Sequence, residues 1–76
     1  VNVVALKAYC DKERLDILLD GRSIKWLCEK LNETGIDIEY PALLANVNNK
    51  VEWKLTYAMG IAKLFNVTIE DLFILK

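Results

Sequence analysis

Asn46, Asn48 and Asn49, followed at once by Lys50, form the densest group of carboxamide side chains in the sequence. A carboxamide donates and accepts at the same time, so it can pair in bidentate fashion with an adenine edge, and an ammonium beside it can hold a phosphate. The same cluster also suits a plain helix end, because Asn competes with the helix for backbone hydrogen bonds and favours turns. Cys10 and Cys28 lie far apart in sequence, each inside an apolar run, which fits two buried free thiols rather than a metal site. The chain has no histidine, and this excludes imidazole acid–base chemistry, serine–histidine triads and Cys/His zinc sites. Neither a nucleophile–base pair nor a phosphate-binding loop is present. The expectation is therefore a protein that is not an enzyme and takes no cofactor and no small-molecule substrate. Trp26 and Trp53 are each either packed against a neighbouring helix or held out as an interface anchor. Asp11, Asp16, Asp20, Glu70 and Asp71 read as caps and solvated faces.

A chain of 76 residues must position these groups with one core, since a domain this small buries only about 60% of its unfolded surface. Residues 1–76 are accordingly read as a single domain. Hydrophobic residues make up 54% of the chain against three Gly and one Pro, the composition of a compact globule and not of a disordered tail. No apolar stretch approaches the roughly 18 residues of a membrane span, and no signal peptide is evident, so a cytoplasmic protein without membrane contact is expected. The net charge is −1, and acidic and basic residues are nearly balanced within 1–21, 22–54 and 55–76 alike. Nucleic-acid binding usually relies on a basic excess that displaces counterions from phosphates, and no segment supplies one.

Residues 1–10 mix strand-favouring Val1, Val3 and Val4 with helix-favouring Ala5, Leu6, Lys7 and Ala8, and a helix is expected. Asp11 can cap a new helix that carries Leu15, Leu18 and Leu19 inward and ends at Gly21. Ser23 caps the next, whose Ile24, Leu27, Cys28 and Leu31 fall at i, i+3, i+4 and i+7, and Gly35 closes it. In the connection that follows, Ile36 and Ile38 point one way and Asp37 and Glu39 the other. Pro41 suits a first helical turn, so a third helix starts near 41, with Leu43, Leu44 and Val47 inward and Ala42, Ala45, Asn46 and Asn49 outward. A fourth begins between 52 and 56 and runs to Phe65, with Tyr57, Ile61, Leu64 and Phe65 inward and Asn66 as its stop. Thr68 with Asp71 three residues on forms a capping box for a fifth helix from Ile69 to about Phe73, and Ile74, Leu75 and Lys76 extend it or form an apolar tail.

The segment 57–73, YAMGIAKLFNVTIEDLF, resembles the closing pair of helices in the Cro and phage-repressor class of helix-turn-helix proteins. That class commonly reads ALA-K-LGV-S-DELF here, and this chain answers with Ile61, Ala62, Lys63, Leu64, Phe65, Asn66, Val67, Thr68, Glu70, Asp71, Leu72 and Phe73. The stretch SIKWLCEKL is similar to the first helix of the motif, with Leu27 and Cys28 in place of a common Leu-Ala pair. The resemblance implies an all-α, lambda-repressor-like bundle of about five short helices in which helix 41–49 reads the major groove. Asn46 and Asn49 would then face the bases, with Asn48 and Lys50 at the helix end and Arg22, Lys25 and Lys54 on phosphates. It implies a DNA-binding transcriptional regulator on double-stranded DNA, working as a homodimer because one motif reads too few base pairs alone. The turn departs from the family: it is long, acidic at Glu33, Asp37 and Glu39, and enters the helix through Tyr40 and Pro41. The alternative is a phage antirepressor or modulator that docks on a repressor protein through Glu33, Asp37, Glu39, Tyr40, Trp26 and Trp53 and blocks its DNA binding.

Overall fold

The computed structural model describes residues 8–75. A short strand β1 (Ala8–Cys10) leads into α1 (Lys12–Leu19), α2 (Ile24–Glu33), α3 (Tyr40–Val47), α4 (Leu55–Leu64) and α5 (Ile69–Leu72), and the chain returns as β2 (Phe73–Leu75). The described part is mostly helical, with five helices and one two-stranded sheet.

Each helix starts and stops where the local chemistry directs. The Asp11 carboxylate accepts from the Arg14 N–H at 3.2 Å to open α1, and the Ser23 hydroxyl accepts from the Trp26 N–H at 3.1 Å to open α2. Asp20 and Gly21, at φ 51° and 83°, turn the chain out of α1, Gly35 does so after α2 at φ 96°, and Asn66 follows α4 at φ 56°. The Asp71 carboxylate accepts from the Thr68 N–H at 3.0 Å, completing the capping box of α5. Bonds from the Thr68 backbone and hydroxyl hold the Asp71 carboxyl below its ordinary pKa, so this cap strengthens above the unfolded carboxyl pKa and is lost as pH falls.

The all-α expectation needs one correction. Ala8–Cys10 form a strand and not the end of a helix, while residues 1–7, which fell in the same expected helix, lie outside the described residues. Strand β1 pairs antiparallel with β2, Ala8 opposite Leu75, Tyr9 opposite Ile74 and Cys10 opposite Phe73, and the Asp11 N–H continues the ladder to the Leu72 carbonyl at 2.9 Å. Strand formation in 73–75 also ends the expected helix extension there. The reason is non-local: two short apolar ends meet and satisfy one another's backbone groups, which neither segment's propensity encodes.

The core lies between the helices and the sheet. Leu15, Leu27, Leu31, Leu43, Ile61 and Leu72 are fully buried, joined by Cys10, Leu19, Cys28, Ile38, Val47, Trp53, Ala58 and Phe73. Both cysteines are buried and free, as their apolar surroundings suggest. Burial, reinforced by the Asp11 charge, raises the Cys10 thiol from 9.0 to about 11. The folded state thus keeps a proton that the unfolded chain loses above its own thiol pKa. Relative to Cys10→Ala, the wild type should lose roughly 1.4 kcal/mol of stability per pH unit as pH rises from 9 towards 11, measured by urea titration.

Among the described residues, no helix is long and apolar enough to cross a membrane.

Candidate functional site

Helices α2 and α3 pack on each other, and the loop 34–39 between them is tightly held. The Thr34 hydroxyl donates to the Leu31 carbonyl at 2.7 Å, and the Ile36 N–H reaches the same carbonyl at 3.1 Å. The Asn32 amide donates to the carbonyls of Cys28 at 2.8 Å and Ile38 at 2.9 Å, pinning Ile38 into the core. With Ile38 buried and Ile36 half-buried, Asp37 and Glu39 project into solvent, as their alternation in sequence suggests. Glu39 is the N-cap residue of α3 but makes no side-chain capping bond, and Pro41 occupies the first turn.

The inward face of α3 consists of Leu43, Asn46 and Val47, a spacing of i, i+3 and i+4. Leu44 and Ala45 are half-buried, and Tyr40, Pro41, Ala42 and Asn48 are exposed. This corrects the expected outward placement of Asn46, which is 3% exposed. Its amide donates to the carbonyls of Val51 at 3.3 Å and Glu52 at 3.2 Å, closing the turn that follows the helix. Asn49 is corrected likewise. At φ 58° it is half-buried; its carbonyl oxygen accepts from the Cys10 N–H at 2.9 Å and its amide donates to the Cys10 carbonyl at 3.3 Å. The Asn49 side chain therefore acts as a further rung beside β1. Asn48 remains outward and accepts from the Lys12 ammonium at 3.0 Å. The three carboxamides thus have three different roles, and only one of them lies on the surface.

Asn49 offers a separable test. Asn49→Gly removes the two hydrogen bonds but suits the left-handed backbone, whereas Asn49→Ala removes them and keeps the strain. Chemical denaturation should place Ala roughly 1 kcal/mol below Gly, with both below the wild type.

The expected cations divide in the same way. Arg22 donates through Nε to the Leu19 carbonyl at 2.7 Å and through an η nitrogen to the Leu18 carbonyl at 3.1 Å. Its guanidinium also lies 4.0 Å from the Trp26 ring centre, so it caps α1 and covers an indole. Lys54 sits 5.4 Å from the Tyr57 ring. Lys25 and Lys50 are exposed and make no ion pair among the described residues. Of the expected acidic contacts, Glu33 pairs with Lys30 at 3.1 Å, while Asp37 and Glu39 are exposed without an ion pair among the described residues.

Trp53 is corrected as an interface anchor: it is 8% exposed and meets Phe73 edge-on at 4.9 Å. Trp26 is half-buried, with Phe65 at 6.4 Å between ring centres. Neither a family model, a curated protein nor a solved structure matches the chain. The site must therefore be judged on its own groups. Those left accessible around α3 are an aromatic and small-apolar face, Tyr40, Pro41 and Ala42, with two free carboxylates at its entry and Asn48 at its far end. No group of three or more His, Cys, Asp or Glu among the described residues is placed to hold a metal ion.

Sequence reasoning missed a second surface. Leu55 and Met59 are exposed at 69% and 53%, and Val51 just before them is also exposed. Their i, i+4 spacing was visible, since neither belongs to the Tyr57, Ile61, Leu64 and Phe65 stripe expected inward; in the structure Ala58, Ile61 and Ala62 are the buried positions of α4, and Tyr57, Leu64 and Phe65 are half-buried against the core.

Proposed function

We propose that the chain is a small non-enzymatic regulator of transcription, built on α2 and α3 as a helix-turn-helix-type pair, that acts by docking α3 and its entry loop on another regulatory protein. The role would be that of an antirepressor or modulator in the cytoplasm, presenting carboxylates to the basic DNA-reading face of a repressor. One observation carries this reading. The outward face of α3 is Tyr40, Pro41 and Ala42 beside Asp37 and Glu39, while Asn46 and Asn49, the side chains best suited to reading bases, are engaged inside the protein. An apolar face flanked by acids suits a protein with a cationic rim, and desolvating those acids against DNA phosphate is unfavourable.

A second reading, direct DNA binding, is favoured by the exposed Lys25, Lys50 and Lys54 and by Asn48 on the surface. One experiment separates the two: selection from a random duplex pool at moderate salt, in parallel with cross-linking capture from the cells that express the protein. Docking predicts no enriched motif and a captured DNA-binding protein that is lost with Asp37→Lys/Glu39→Lys. An enriched motif, with binding that survives or improves in the Asp37→Lys/Glu39→Lys variant, overturns docking in favour of DNA reading.

A further inference from the structure

We infer that β1 is a detachable strap, latched by the Asn49 side chain, that swings away while the helices stay folded and so moves the Asn49 carboxamide from a closed to an open state. The core closes without β1. Its six fully buried side chains, Leu15, Leu27, Leu31, Leu43, Ile61 and Leu72, come from all five helices, two of them from α2. Strand β1 adds one buried side chain, the small Cys10, while Ala8 and Tyr9 are half-buried.

The two edges of β1 are held by backbone hydrogen bonds. The alternation of an antiparallel ladder turns the Tyr9 backbone towards Ile74 and the Cys10 backbone away from β2. There the Asn49 side chain takes the Cys10 N–H at 2.9 Å and meets the Cys10 carbonyl at 3.3 Å. A net hydrogen bond contributes about as much as ordering one backbone residue costs, so a three-residue strand with little buried side-chain surface gains little by staying docked. Such segments open locally, without the rest of the fold. The hinge is Asp11, fixed on the helix side by its carboxylate at the Arg14 N–H and by its own N–H at the Leu72 carbonyl. The strand ahead of it can therefore leave without unwinding α1. On release the Asn49 carboxamide loses both partners and offers, next to the exposed Lys50, a donor and an acceptor that the closed state withholds. The inference is independent of whether α3 takes a protein or DNA.

Alkylation of the whole chain with iodoacetamide, with the two cysteines resolved by mass spectrometry of the quenched and digested protein, tests it. Both thiols are free and buried, and static exposure favours Cys28, at 7% against 5% for Cys10. Strap opening reverses that order: without urea, Cys10 should react about tenfold or more faster than Cys28. The Cys10 rate should change little over low urea concentrations, because opening a three-residue strand exposes little surface. Asn49→Gly suits the left-handed backbone at φ 58° but lacks both bonds, and should raise the Cys10 rate about fivefold or more with helical circular dichroism unchanged. A Cys10 no faster than Cys28, or one whose rate climbs with urea as steeply as global unfolding does, means that β1 leaves only with the whole fold and overturns the inference. So does a Cys10 rate indifferent to Asn49→Gly, which would remove Asn49 as the latch.

Discussion

Asn46→Asp is expected to destabilise the fold by about 3–5 kcal/mol at neutral pH, the range for leaving an unpaired charge buried. The wild-type amide donates to two carbonyl oxygens, of Val51 and Glu52, from a position 3% exposed. A carboxylate there has no hydrogen to give, and its negative oxygens face two partial negative charges in a poorly solvated site. Asn46→Ala should cost less, about 1–2 kcal/mol, because it removes two hydrogen bonds without burying a charge. The pH dependence identifies the cause. Burial and the carbonyls raise the pKa of the introduced acid in the folded state, so the folded state holds its proton more tightly than the unfolded one. The penalty is small below the unfolded carboxyl pKa of about 4 and grows as pH rises through the folded value. Urea titrations of Asn46→Asp at acid and neutral pH should therefore converge on the Asn46→Ala value at the acid end. A penalty that does not vary with pH would assign Asn46 a packing role only.

The contrast between Asn46 and the helix caps shows which features were legible in the sequence. Ser23, Asp11, Thr68 with Asp71, Gly35 and Asn66 act within three or four residues of themselves, and their roles follow from local chemistry alone. The alternation Ile36, Asp37, Ile38, Glu39 was equally readable because Ile38 has a core to enter. The fates of Asn46 and Asn49 were not. Asn49 finds its partner at Cys10, 39 positions away in sequence, and that partner exists only because Ala8–Cys10 became a strand paired with Phe73–Leu75. One long-range event, the meeting of the two ends of the described chain, changed the element at 8–10, the end of the last helix and the role of Asn49 together. Asn46 was misplaced for a different reason. Assigning Leu43, Leu44 and Val47 to the core gives a face centred too far towards Leu44, and the polarity of Asn argued against burial. The orphan carbonyls of the turn at 51–52 reverse that preference, since a buried donor is stable where acceptors wait for it. Composition likewise excluded histidine chemistry but could not distribute the cations. Arg22 folds back on α1 while Lys25 and Lys50 stay exposed, and charge balance alone is silent on that.

Leu31→Ala should be among the most damaging single changes, at about 2–5 kcal/mol, the range for truncating a fully buried leucine. A domain of this length is stable by only about 4–11 kcal/mol, so the change consumes a large share of it. Leu31 is 0% exposed. Its side chain approaches Gly60 on α4, which carries no Cβ and leaves space that the Ile36 side chain occupies. Its carbonyl meanwhile receives both the Thr34 hydroxyl and the Ile36 N–H at the start of the loop to α3. Loss of the isobutyl group leaves a void between α2 and α4 beneath Ile36, which can collapse into it only by pulling on the loop that pins Ile38 and orients Asp37 and Glu39. Two readouts should therefore move together: the urea midpoint falls with the slope nearly unchanged, and backbone amides of 34–39 lose hydrogen-exchange protection before the helices do. Leu55→Ala on the exposed side of α4, at 69% exposure, should leave both within about 0.5 kcal/mol of the wild type. If Leu31→Ala instead lowered the midpoint without loosening 34–39, the loop would be held by its own hydrogen bonds, and the acidic entry to α3 would be set independently of the core beneath it.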